Sequence, residues 1–143
     1  MKFQFKLERL LGFIRLKETM KKMEIASVNK KIAFLEHRIS LSHSSLRKIL
    51  EKCYEGNSQD YEYYHTNQVA LDAGQLKKLN EAVVVCKREK EDKVQELNRL
   101  MMRRKGLESL REKRWQEHRK VVSKKAQKDL DEAFQLTEQA KQR

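Results

Sequence analysis

Four histidines, His37, His43, His65 and His118, and two cysteines, Cys53 and Cys86, are the side chains of this 143-residue chain best suited to hold a metal or attack an electrophile. Their spacing serves neither task. No two histidines stand four apart, the separation at which one helix face offers two ligands to one ion. The cysteines are far apart in sequence and form no CxxC pair, so both read as reduced, half-buried residues without a disulfide. There is no Gly-rich phosphate loop, no HExxH and no nucleophile motif. A single layer of helices also encloses no dry pocket. The expectation is a chain that is not an enzyme, with no cofactor and no metal site.

What the chain does concentrate is positive charge. Between Arg103 and Lys128 there are 11 Lys and Arg against 3 acids, Glu108, Glu112 and Glu117, which is about two thirds of the net charge of +12. The same stretch holds the only tryptophan, Trp115. Clustered cations neutralise phosphates and release counterions, so nucleic acid is one reading. Against it, no aromatic residue other than Trp115 interleaves with the cations, and no recognition-helix module is visible. A leucine-zipper DNA binder would also place its basic region before its heptads. A solvated basic face and docking to an acidic protein surface are the other two readings. In the docking reading Arg111, Arg114, Trp115 and Arg119 are the candidate partner-binding residues, with Trp115 as anchor.

The elements that must carry this segment follow from periodicity. The apolar fraction of 38% is low and the charged fraction of 38% high for a compact core, against averages of about 45–50% and about 25%. Proline is absent, as in long solvated helices. Steps of four and three from Leu7 give Leu7, Leu11, Ile14, Glu18, Lys21, Ile25, Val28, Ile32, Leu35, Ile39, Ser42, Leu46, Ile49 and Cys53. Eleven of the fourteen are apolar, where bulk composition predicts about five, so a coiled-coil seam runs through helix one. Glu18 and Lys21 interrupt it where Phe13, Leu16, Met20 and Met23 lie on the outer face. Either a local register shift turns those four inward, or they form a second apolar face for a partner, to which methionine is well adapted.

The pattern stops at Glu55-Gly56-Asn57-Ser58-Gln59-Asp60, where Gly56 suits the position after a helix and Asn57 or Ser58 can cap the next. Four tyrosines, Tyr54, Tyr61, Tyr63 and Tyr64, crowd this tip, and Tyr61 and Tyr64 are candidate partner contacts. Helix two opens in heptad register with Val69, Leu76, Leu79, Val83 and Cys86. Lys90 and Lys93 then interrupt it, and Val94, Leu97, Leu100, Met101, Leu107 and Leu110 continue an apolar face only after a phase shift. The expected fold is all-α: a long antiparallel two-helix coiled-coil hairpin with an overhanging C-terminal helix. It forms one domain over residues 1–143, with helix one at about 3–55, a turn at about 56–59, helix two at about 60–138 and a possible break near Gly74. A turn at Gly56 or Asn57 pairs residues whose numbers add to about 114; a tip insertion over 57–74 raises that to about 130.

Both ends of the chain resemble a known family. Phe3-x-Phe5-x-Leu7-Glu8-Arg9-Leu10-Leu11 and Leu107-Glu108-x-Leu110-x-Glu112-Lys113-x5-Arg119-x7-Gln127-Lys128-x-Leu130-Asp131-Glu132 are similar to the FliJ family of bacterial flagellar export proteins. Gly106 departs from the family pattern and predicts a local bend or a looser helix there; Ala126 stands where an acidic residue is common. The resemblance implies a soluble component of the flagellum-specific type III export apparatus, similar in form to the central stalk of rotary ATPases. Its implied partners are the export ATPase and its regulator, the export gate membrane protein and export chaperones. It implies no nucleic acid, a monomer, and a cytoplasmic location at the flagellar base, touching the membrane only through partners. The absence of a run of about 18 apolar residues and of a secretory leader fits that location. A self-associating structural coiled coil, with the outer apolar residues in a four-helix contact, is the competing expectation.

Overall fold

A computed structural model describes the backbone of residues 2–55 and 59–143 and the side chains of residues 2–51 and 70–143. Two helices account for nearly all of it: α1 over Glu8–Glu55, 48 residues, and α2 over Gln59–Lys141, 83 residues. The expected turn at Gly56 and Asn57, the side chain of Cys53 and all four tip tyrosines, Tyr61 and Tyr64 included, lie outside the described residues.

Helix α1 begins at Glu8 rather than near residue 3. Residues 2–5 are irregular, and the Glu8 amide donates to the Phe5 carbonyl at 3.1 Å to close the entry turn. Glu8 also sets an acid in the first turn, where the helix dipole favours negative charge. In α2, Gly74 and Gly106 are both helical, and among the described residues no glycine has a positive φ. The expected break near Gly74 is therefore absent. At Gly106 the helix also continues, supported by strong helix formers on either side.

From Leu11 to Ile49 the heptad seam of α1 is where its spacing placed it, whereas Leu7, the expected first position, precedes the helix and is exposed. The twelve positions from Leu11 to Ile49 are buried or half-buried, Glu18, Lys21 and Ser42 among them, and every other residue between Glu8 and Glu51 is exposed. No register shift turns the outer residues inward. Phe13, Leu16, Met20 and Met23 are all more than half exposed.

Helix α2 corrects the expected phase shift in the same way. Positions 72, 76, 79, 83, 86, 90, 93, 97, 100, 104 and 107 keep alternate steps of four and three, and each is buried or half-buried. Lys90, Lys93 and Arg104 occupy seam positions instead of breaking the seam. Long cationic side chains can cover a seam with their methylenes while carrying the charge to its edge.

The chain divides into two compact units, one comprising Met1–Glu18 with Arg99–Arg143, the other Thr19–Asn98. In the first, the core is Leu11 and Ile14 from α1, with Leu11 fully buried. Leu100, Met101, Leu107 and Leu110 of α2 are partly covered in the same unit. In the second, Val28, Ile32, Leu76 and Val83 are buried, and Cys86 is a half-buried free thiol.

Cross-helix ion pairs report the alignment inside each unit. The first unit pairs Arg111 with Glu8, Arg15 with Glu108, and Arg104 with Glu18. The second pairs Lys21 with Glu96, Lys93 with Glu24, and Lys87 with Glu36. The two residue numbers of each pair add to between 117 and 123. Neither expected alignment, 114 or 130, is met; the pairs fall between the two.

Candidate protein-docking surface

The basic stretch from Arg103 onward lies in the first unit, and its residues divide into those already engaged within the chain and those left outward. Arg104 is engaged. Its Nε donates to both Glu18 carboxylate oxygens at 2.9 Å, and its Nη1 donates to the Glu108 oxygens at 3.2 and 3.1 Å. Arg15 donates to Glu108 at 3.2 Å from α1, completing a four-residue chain of alternating charge. The donors from Arg15, then Arg104, hold the Glu108 carboxyl below its ordinary value, and Glu18 and Glu108 raise the Arg104 guanidinium above its own.

A second polar layer belongs to the other unit. Lys21 reaches Glu96 at 2.6 Å and Glu24 at 3.1 Å, and Lys93 reaches Glu24 at 3.6 Å and Glu89 at 3.5 Å. Glu96 and Glu24 raise the Lys21 ammonium, and Lys21 lowers the Glu24 carboxyl. Both layers sit where the sequence showed only interruptions. Opposite charges at seam positions of the two helices were the available signal, legible only once the alignment was known.

Of the predicted partner-binding residues, Arg111 is also engaged, with its Nε 3.2 Å from Glu8. Trp115 is 41% exposed and packs against other aromatic rings. Phe3 meets it edge-on at 5.2 Å between ring centroids, and His118 lies 5.5 Å from Phe3 and 6.3 Å from Trp115. The irregular N-terminal segment is thus fastened to α2 by an aromatic group, with a tilted geometry of the kind aromatic quadrupoles favour. The Phe3-x-Phe5 spacing was the only sequence hint of it. A shallow depression beside Trp115 is lined by Phe3, Arg15, Glu108, Arg111 and Glu112.

Arg114 and Arg119 point outward, as do Phe13 and Leu16 of the same unit. Met20 and Met23 are exposed in the other unit. From Arg119 to the end of the chain every residue is exposed, so the last stretch of α2 is a bare helix roughly 34 Å long at about 1.5 Å per residue. Its exposed apolar side chains include Val122, Leu130 and Phe134.

Chemically, the surface offers charge and apolar area. Among the described residues no three His, Cys, Asp or Glu side chains gather to hold a metal ion. No helix among them is long and apolar enough to cross a membrane. No protein-family model matches the chain, and no curated protein or solved structure does either.

Proposed function

We propose that this chain is a non-enzymatic stalk and adaptor of the flagellar type III protein export apparatus, built as an antiparallel two-helix coiled coil. In this reading the surface around Arg114, Trp115 and Arg119, with Phe13 and Leu16, docks to the export ATPase ring. The tip and early α2, including Tyr61 and Tyr64, meet the export gate, and export chaperones are further partners. The family resemblance rests on the residues quoted from the two ends of the chain. The observation that carries the reading is the basic stretch of α2 around Trp115: Arg114 and Arg119 face outward beside a half-exposed tryptophan, the pairing of hot-spot aromatic and charge that protein interfaces use.

The test is stimulation of ATP hydrolysis by the cognate export ATPase. Arg111 and Trp115 have intramolecular roles, so the clean variant is Arg114→Glu with Arg119→Glu, both on exposed positions. Loss of stimulation at unchanged helicity is the expected result. Full stimulation by that variant overturns the assignment of the docking surface.

A further inference from the structure

We propose that the bare arm of α2, Arg119 to Lys141, pairs antiparallel with the same arm of a second copy of the chain. Charge is sorted along it. From Arg119 to Lys128 there are five cations and no acid; from Asp129 to Glu138 there are four acids and no cation. All of them are exposed, and among the described residues the structure pairs none of them.

That sorting selects the partner. A nucleic acid or an anionic membrane is attracted by the first half and repelled by the second. A uniformly acidic helix meets the same conflict. A second copy lying parallel sets cations against cations and acids against acids. Only an antiparallel copy puts each basic half beside an acidic half, and it does so twice by two-fold symmetry, as an isologous contact requires.

The apolar residues agree with the same alignment. Val122, Ala126, Leu130 and Phe134 recur at steps of four along one side of the helix, and all four are exposed. An antiparallel pairing centred on Lys128 places Val122 opposite Phe134 and Ala126 opposite Leu130. On the two flanks of that stripe it brings Lys120 near Glu138 and Lys125 near Asp129. The apolar contact spans only Val122 to Phe134, roughly 18 Å of helix, well short of a standard stable interface. The pair is therefore weak, and a docking partner that needs the same arm displaces it. The pairing stands independently of the stalk role.

Sedimentation velocity on the full-length chain tests it, at concentrations up to about 0.1 mM and at low and high salt. A dimer is expected at low salt and is weakened by salt, because exposed charges are screened. Lys120→Glu with Lys125→Glu in one variant, and Asp129→Lys with Glu138→Lys in another, each weaken self-association by about tenfold or more. Mixing the two variants restores a dimer. Phe134→Asp removes the dimer without changing the circular dichroism of the monomer. A chain that stays monomeric throughout, a dimer unaffected by the charge reversals, or a mixture that fails to recover overturns the proposal.

Discussion

Arg104 holds Glu18 from across the helix pair: the guanidinium Nε is 2.9 Å from each carboxylate oxygen of a residue only 6% exposed. In the part of the seam that also carries Leu11, Ile14, Leu100 and Leu107, this is a charged layer with both charges satisfied. Such a layer contributes little net stability over a well-packed apolar pair, because desolvation offsets the attraction. Its effect is on alignment. Any slip of one helix along the other leaves Glu18 buried without its partner, a penalty that apolar layers do not impose.

Removing one partner is therefore expected to do more harm than removing both. Arg104→Leu alone should lower the melting temperature followed by circular dichroism. Glu18→Leu with Arg104→Leu should recover it or exceed the parent. A double variant less stable than the single would show that the pair stabilises outright and does not merely fix alignment.

The ion pairs set a pH window. Glu108 and Glu24 titrate below their ordinary value of 4.5 in the folded chain, so their contribution is fully present above that value. It is lost as pH falls from there through the depressed folded values. Lys21 titrates above its ordinary 10.5, so its contribution is complete below 10.5 and is lost as pH rises through the raised folded value. Thermal melting should be flat through neutral pH and decline at both ends. High salt should shrink the acid-side decline for these partly exposed groups.

Leu11 and Phe13 are two residues apart and should respond oppositely to truncation. Leu11 is fully buried, and Leu11→Ala should cost about 2–4 kcal/mol, the usual range for a core leucine. Phe13 is 53% exposed, and Phe13→Ala should stay within about 0.5 kcal/mol. Urea unfolding of both variants measures the contrast. A destabilisation by Phe13→Ala as large as that by Leu11→Ala would contradict the observed seam.

Trp115 is the only tryptophan, so its fluorescence reports the N-terminal fastening without ambiguity. Phe3→Ala should shift its emission to longer wavelength and weaken the first unit by about 0.5–1.5 kcal/mol, the scale of an aromatic pair. Phe3→Leu should retain part of the apolar cover but lose the edge-to-face contact.

Much of this arrangement was legible in the residues. The all-helical fold followed from the absence of proline and from helix-forming composition, and the α1 seam followed position by position from Leu11 to Ile49. Helix α2 was read less well, because Lys90 and Lys93 looked like breaks. A hydrophobic pattern scores a lysine as a miss whether it leaves the seam or stays in it behind an acid. The exposure of Phe13, Leu16, Met20 and Met23 was one of two open readings, since periodicity alone does not say whether a register shifts. In the basic segment, the spacing showed where cations and the lone tryptophan concentrate. It did not find that Arg111 is bound to Glu8, or that Phe3 and His118 flank Trp115.

The sequence by itself determined which face of α1 is covered, because a heptad is a property of one helix and needs no knowledge of its partner. Only the tertiary structure decided which residues meet across the pair. The alignment near 120 is fixed jointly by side chains some ninety positions apart in the chain, Arg104 with Glu18 and Arg15 with Glu108. No local pattern records that choice, since each of those charges taken alone is compatible with solvent.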